Sequence, residues 1–118
     1  MINENRLVST FCEMVQIDSP SGEEHEFSKY ISKKLSNLGF SVEHDFHGNL
    51  IASEAGSDPL ILSAHMDTVE PGRGIKPRIV GGIIRSDGNT ILGGDCKAGI
   101  ASIIESLQSL SEENITRI

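Results

Sequence analysis

The sequence predicts an α/β fold, and three observations lead to that prediction. Apolar residues recur at helical spacing in two stretches between residues 3 and 38. The pattern then changes to the alternation of strands, and a continuous apolar run follows. A third helical stretch comes after a predicted hairpin, in the position of a crossover that returns the chain to a sheet.

Two amphipathic helices are predicted first. Residues 3–16 carry apolar side chains on one helical face, namely Leu7, Val8, Phe11, Met14 and Val15. The stretch SGEE then fits a capping box, in which Ser21 and Glu24 each accept a backbone N–H of the other. Gly39 ends the second helix as a left-handed cap. The apolar face of that helix contains Phe27, Tyr30, Ile31, Leu35 and Leu38.

The middle of the sequence is typical of strands. Residues 40–44 alternate, HGN at 47–49 is a turn, and 50–53 form the partner strand. The apolar run Leu60 to Ala64 follows Asp58-Pro59 and predicts a central strand covered on both faces.

A second hairpin is predicted over residues 79–85, with the turn SDGN leading to a short extended stretch at 90–92. Residues 96–110 form the third helix, and 115–118 begin another strand. We therefore expect residues 1–118 to be the first part of a larger domain, a mixed or parallel sheet flanked by helices that is truncated before its remaining strands.

The amino-acid composition argues against several classes of function. The chain is 37% hydrophobic and 23% charged, as ordinary globular proteins are, and its net charge of −7 argues against nucleic-acid or anionic-membrane partners. The sequence shows neither a signal peptide nor the roughly 20 apolar residues that cross a bilayer. Its two cysteines form no CxxC motif, so we expect free thiols in the cytoplasm.

A histidine and an aspartate follow the central apolar run, in ILSAHMDT. His65 and Asp67 would share one face at the carboxyl end of a strand, where α/β sheets place their sites. A carboxylate behind an imidazole is typical of a metal ligand, because it fixes the ring tautomer. Alternatively, the aspartate acts on a water molecule. Taken alone, the pattern is better explained as a solvated strand end.

The second polar motif is LGGDCKAG, which opens the third helix. Its glycines allow a close backbone approach, and Asp95 stands at the start of the helix. Asp95 is either an ordinary N-cap or a carboxylate directed at a metal ion. Taken alone, the motif favours the N-cap.

Together and in this order, the motifs resemble the dinuclear-zinc exopeptidase family of peptidase T, aminoacylase, succinyl-diaminopimelate desuccinylase and glutamate carboxypeptidase. The stretches IDSPSGEE, HGNLIA, DTVEPGRGIKPRI and SDGNTILGGDCKAGIA are most similar to the peptidase T branch. The resemblance covers essentially the whole chain. It implies the first part of a zinc peptidase catalytic domain, without the dimerisation domain and the C-terminal half.

The resemblance also implies roles for three residues. His65 would be a ligand of one zinc ion, Asp95 would bridge two zinc ions, and Asp67 would be the catalytic-site carboxylate that orients His65. The general base and the remaining ligands would lie beyond Ile118. We therefore expect a zinc-dependent aminopeptidase that acts on short peptides, tripeptides above all, and whose first 118 residues alone are inactive. A homodimer is a further expectation.

Two alternatives stay open. The parent protein could be an amidohydrolase of the same family that acts on N-acyl amino acids, or a carboxypeptidase. The chain could instead be a non-catalytic fragment that self-associates through an exposed sheet edge.

Three details concern single residues. Cys96 stands where relatives often have aspartate, and we expect it to be a small spacer and not a ligand. The Asp95–Cys96 peptide bond, commonly cis in the family, is expected to be trans here. His44 and His47 could bind a metal together, but a closed site would need more ligands.

Overall fold

The computed structural model describes residues 1–54 and 60–113, which form three helices and two antiparallel strand pairs. The helices are α1 (Glu4–Val15), α2 (His25–Asn37) and α3 (Gly94–Glu112). The strands are β1 (Ser41–His44), β2 (Leu50–Ser53), β3 (Arg78–Val80) and β4 (Ile83–Arg85). The predicted α/β class is confirmed. In the described part of the chain, no helix is both long and apolar enough to span a membrane.

The hydrophobic core lies between the three helices and is built from the faces that the apolar spacing predicted. Phe27 of α2 and Met14 of α1 are fully buried. The β1–β2 hairpin packs on α2, and α1 packs along α3. The other buried apolar residues are Phe11, Val15, Ile31, Leu35, Ile75, Ile100, Ala101 and Ile104. Helical periodicity was a sufficient signal here because burial selects one side of each helix.

An ion pair between the partly exposed Arg6 and the buried Glu105 also joins α1 to α3. Arg6 donates from Nε to Oε1 of Glu105 and from a terminal nitrogen to Oε2, both at 2.8 Å. The backbone N–H of Asn3 and the hydroxyl of Ser109 donate to the same carboxylate, at 3.0 and 2.7 Å. Four donors therefore compensate the desolvation of Glu105, whose pKa falls to about 2 mainly through the Arg6 hydrogen bonds.

The predicted C-terminal cap of α2 is confirmed, whereas the predicted N-terminal cap is not. Gly39 adopts a φ of +92° and its N–H donates to Ser36 O at 3.0 Å, which confirms the left-handed cap. The capping box is wrong, since α2 begins only at His25 and its N-cap, Glu24, makes no side-chain capping bond. The Ser21 hydroxyl instead donates to the carboxylate of Asp67. A hydrogen bond to an ionised carboxylate is stronger than one between neutral groups, which favours the contact with Asp67 over capping.

The predicted central strand at Leu60 to Ala64 is wrong for the described residues. This stretch forms no strand, and Leu60 and Ile61 are 72% and 81% exposed. A strand needs a neighbour for its backbone groups, and the described residues supply none beside it. Parallel pairing occurs among them only as a single bridge between Pro20 and Thr68. Residues 90–92 are not a strand, and the strand expected at 115–118 lies outside the described residues.

Candidate metal centre

One cleft brings together the three residues that the sequence motifs singled out. His65 and Asp67 follow the exposed Leu60–Ala64 stretch, and Asp95 lies at the start of α3. The cleft measures about 240 Å³, and its remaining lining residues are Thr68, Val69, Ile91 and Gly93. Residues 30 positions apart thus reach hydrogen-bonding distance in a partly apolar recess.

The segment that carries His65 and Asp67 is held by the chain just before α2. The N–H of Thr68 donates to Ser19 O, and the hydroxyl of Ser19 donates to Met66 O, each at 2.8 Å. Ser19 is fully buried and Thr68 nearly so. These bonds fix the backbone on both sides of Asp67, so the cleft does not depend on a paired strand.

The start of α3 places Asp95 in the cleft through an irregular backbone. Gly93, the N-cap, has a φ of +86°, and a Cβ there would lie 3.5 Å from Thr68 Cγ2. Asp95 interrupts the helix with φ −94° and ψ 100°. The interpretation of Asp95 as N-cap is wrong, because the N-cap is Gly93 and the Asp95 carboxylate lies against His65. The Asp95–Cys96 peptide bond is cis, not trans as expected.

His65 stands between two carboxylates. Its Nδ1 lies 2.9 Å from the carbonyl oxygen and 3.1 Å from Oδ1 of Asp67, and its Nε2 lies 2.9 Å from Oδ1 of Asp95. The backbone carbonyl accepts only, as do ionised carboxylates, so both ring nitrogens carry protons in this arrangement. The hydrogen bond to Asp95, supported by Asp67, raises the pKa of His65 although partial desolvation opposes it.

The hydrogen-bond partners of Asp67 lower the pKa of its carboxyl. The hydroxyl of Ser21 is the largest cause that lowers the pKa of this carboxyl, and the contacts with His65 lower it further. Asp67 therefore holds a negative charge directly behind the imidazole. Sequence reasoning assigned Ser21 to a capping box and missed this contact, because nothing in the motif signals a partner 46 residues away.

The donor set of the cleft fits a metal ion. Ligand atoms of His65, Asp95 and Cys96 lie within 4.8 Å of one another. Tetrahedral zinc with bonds of about 2.0–2.3 Å holds its ligand atoms roughly 3.3–3.8 Å apart, so the three atoms must approach one another by about 1 Å to share one ion. Nitrogen, carboxylate oxygen and thiolate are all zinc ligands. His65 could bind through Nε2 once that nitrogen loses its proton. The sequence predicted only a spacer at Cys96, but its Sγ lies close enough to the other two ligand atoms to be a candidate ligand.

Two other sequence candidates lie elsewhere. Nε2 of His44 is 2.9 Å from the hydroxyl of Ser28, and the ring of His47 packs edge-on against Phe46. Among residues 1–54 and 60–113, the cluster of three possible ligands does not include either histidine. Lys97, two residues after Asp95, is fully buried, and its Nζ donates to Ile17 O at 2.7 Å, away from both aspartates.

Zinc affinity is expected to depend on pH through His65. A metal ion must displace the Nε2 proton, and the raised pKa of His65 keeps that proton in place to higher pH than in a free histidine. Below that pKa, apparent affinity should fall about tenfold per pH unit. Competition titrations with a chromophoric chelator from about pH 5.5 to 8 measure this, and a flat affinity would contradict it. His44→Ala is the matched control and should leave the profile unchanged.

Solved structures of peptidases resemble this chain along nearly its whole length. An aminopeptidase PepT from Bacillus cereus ATCC 10987 is 44% identical with a TM-score of 0.88, over 96% of this chain and 34% of that one. A tripeptidase from Staphylococcus aureus Mu50 is 39% identical with a TM-score of 0.89, over 98% of this chain and 34% of that one.

A characterised relative in sequence is the cytosol non-specific dipeptidase of Escherichia coli K12. It is 31% identical over 89% of this chain and 24% of its own length. No protein-family model matches the chain. The chain spans about a third of the two solved peptidases and a smaller share of the dipeptidase.

Proposed function

Because the chain belongs to the exopeptidase family of peptidase T, we propose that it forms the first part of the catalytic domain of a metal-dependent aminopeptidase. The proposed substrates are short peptides, tripeptides above all, and the proposed metal is zinc, with two ions in the complete enzyme. The two free cysteines are consistent with a cytoplasmic protein.

One observation carries this proposal. Nε2 of His65 lies 2.9 Å from Oδ1 of Asp95, with Asp67 on the other ring nitrogen, in a chain that aligns with two solved peptidases. An imidazole with a carboxylate behind it and another carboxylate in front is a metal-binding arrangement. A solvated strand end would not require these three side chains to converge.

In our proposal each of the three residues has a separate role. His65 and Asp95 hold the metal, and Asp67 holds His65 in the tautomer that presents Nε2. If they held zinc, the ion would lower the pKa of a bound water, so that hydroxide, the nucleophile for an amide carbonyl, would be available near neutral pH. Catalytic zinc sites use about three protein ligands for each metal, so two shared ions need more than His65 and Asp95. We therefore propose that the 118 residues alone do not hydrolyse peptides.

The alternative of a self-associating fragment has one supporting feature. Leu60, Ile61 and Leu62 are 72%, 81% and 51% exposed, and contiguous exposed apolar residues of this kind favour association. A homodimer through this stretch remains compatible with the aminopeptidase proposal, since it leaves the cleft residues free.

A chimera tests the proposed function. This chain would replace the corresponding third of the Bacillus cereus aminopeptidase, to which it is 44% identical. The chimera should hydrolyse tripeptides, lose activity to a chelator and regain it with zinc. His65→Ala within the chimera should abolish activity, whereas His44→Ala should not. Circular dichroism and size-exclusion chromatography establish that each protein is folded.

A substrate panel run on the full-length protein decides between the alternatives, because about two thirds of the chimera belongs to the Bacillus cereus enzyme. Cleavage of N-acyl amino acids in place of tripeptides would support the amidohydrolase reading. A folded chimera that binds no zinc and cleaves neither class would contradict the proposal. Zinc-dependent tripeptide cleavage by the 118-residue chain alone would overturn the proposed inactivity.

A further inference from the structure

We propose that Ser21 is a positioning residue of this metal site: its hydroxyl holds the Asp67 carboxylate, which in turn holds His65. The inference rests on the proposed metal site and extends it to a residue in a different segment of the chain. It assigns to the SGEE stretch a role in the cleft in place of helix capping.

The first step concerns the two oxygens of Asp67. Oδ1 accepts from Nδ1 of His65 at 3.1 Å, and Oδ2 accepts from the hydroxyl of Ser21. With a partner on each oxygen, the carboxylate plane cannot rotate without breaking one bond. Removal of the hydroxyl leaves Oδ2 to solvent, because the side chain of Asp67 is 40% exposed.

The second step concerns His65. Nδ1 faces two acceptors of Asp67, the carbonyl oxygen at 2.9 Å and Oδ1, whereas Nε2 faces Oδ1 of Asp95, so Nδ1 is the nitrogen that keeps its proton when the ring loses one of its two. Nε2 is then the nitrogen available to a metal. A carboxylate that turns away weakens this preference and lets the other tautomer, with its proton on Nε2, compete with the metal.

The third step shows why Ser21 can be tested without unfolding the protein. Its segment is attached to the 66–74 segment by bonds that do not use its side chain. Ser19 O accepts from Thr68 N–H at 2.8 Å, and Oδ1 of Asp18 accepts from Gly74 N–H at 2.9 Å. Ser21 itself is exposed, so a methyl group added there reaches solvent. Ser21→Ala therefore removes one hydrogen bond and little else.

The experiment is done in the chimera described above, whose remaining two thirds would supply the further ligands, and compares Ser21→Ala, Ser21→Thr and wild type, with Ser106→Ala as the matched control. Ser106 is an exposed serine on α3 whose hydroxyl bonds to Ser102 O, outside the cleft. Zinc dissociation constants are measured by competition with a chromophoric chelator at fixed pH. Loss of a direct partner of a ligand typically costs 10–100-fold in metal affinity, and Ser21 is one residue further out. We expect Ser21→Ala to weaken zinc binding about 3–10-fold, and the other two variants to stay within about twofold.

A second measurement reads the imidazole directly. The ¹⁵N chemical shifts of His65 report which ring nitrogen carries the proton, with and without zinc. At a pH where the ring carries a single proton, wild type and Ser21→Thr should show Nδ1–H, while Ser21→Ala should gain a fraction of the Nε2–H tautomer. A purely structural serine would not move this tautomer.

The outcomes separate this inference from the proposed function. Unchanged zinc affinity and an unchanged tautomer in Ser21→Ala overturn the role of Ser21 and leave the metal site standing. An equal loss in Ser21→Thr and Ser21→Ala also overturns it, because the hydroxyl would not be the cause. If no variant binds zinc, the proposed function loses its metal site. The tautomer of His65 in the metal-free protein then still tests the positioning role of Ser21. A larger Nε2–H fraction in Ser21→Ala supports that role, and an unchanged fraction overturns it.

Discussion

Replacing Glu105 with glutamine is expected to lower the free energy of unfolding by about 2 kcal/mol. The side chain of Glu105 is only 4% exposed and accepts hydrogen bonds from Arg6, Asn3 and Ser109. Glutamine places an NH₂ group against one set of these donors and removes the charge that compensates Arg6. Urea denaturation monitored by circular dichroism measures the loss, which is large against a total stability of roughly 5–15 kcal/mol.

The matched control is Glu112→Gln. Glu112 also binds Arg6, at 2.6 Å, but its side chain is 48% exposed, so water compensates for its loss. We expect a much smaller change. Equal losses in the two variants would show that burial of the pair is unimportant, contrary to our argument.

Acid adds a second test of the same pair. The pKa of Glu105 is about 2 in the folded protein and about 4.5 when the chain is unfolded. A lowered folded-state pKa contributes stability above the unfolded value, and this contribution is lost as pH falls through the folded value. The difference between wild type and Glu105→Gln should therefore be constant at neutral pH and shrink between about pH 4.5 and 2.

Replacing Lys97 with alanine is expected to cost about 4 kcal/mol. The side chain is fully buried, donates to Ile17 O at 2.7 Å and places Nζ 4.4 Å from the centroid of the Phe27 ring. Alanine leaves a cavity beside Phe27 and a carbonyl without its donor. Lys97→Met keeps most of the volume and should cost only about 1–2 kcal/mol, the carbonyl contribution. Equal effects of the two substitutions would contradict the cavity argument.

The buried ammonium also predicts an unusual dependence on alkali. Burial lowers the pKa of Lys97 to about 8, although Asp18 partly opposes the shift. Between that value and 10.5 the unfolded chain binds the extra proton, so stability should rise with pH. Between about pH 8 and 9.5 we expect a gain of roughly 1–2 kcal/mol in wild type and none in Lys97→Met. Thermal unfolding of both proteins across this range is the measurement.

The helices and the candidate ligands could be predicted from the sequence for simple physical reasons. Burial of one helical face leaves a periodic signal, which located all three helices within a few residues. His65, Asp67 and Asp95 were found because the two motifs stand in an order that resembles a known family. Taken one at a time, these motifs favoured a solvated strand end and an N-cap.

Other features were decided by the tertiary structure alone. Whether an apolar run such as Leu60 to Ala64 becomes a strand depends on a neighbour for its backbone, and sequence pattern cannot supply one. The partner of a serine hydroxyl likewise depends on which acceptor the fold brings near. In the folded chain the Ser21 hydroxyl donates to the carboxylate of Asp67 and does not cap a helix.

The burial of a charged side chain was also decided by the tertiary structure. Lys97 is fully buried, and its Nζ lies over the Phe27 ring and donates to Ile17 O. The sequence by itself determined which residues could form helices and which could bind a metal. Only the tertiary structure decided which of them meet, because hydrogen bonds and ion pairs between residues 30 to 99 positions apart exist only once the backbone has brought them together.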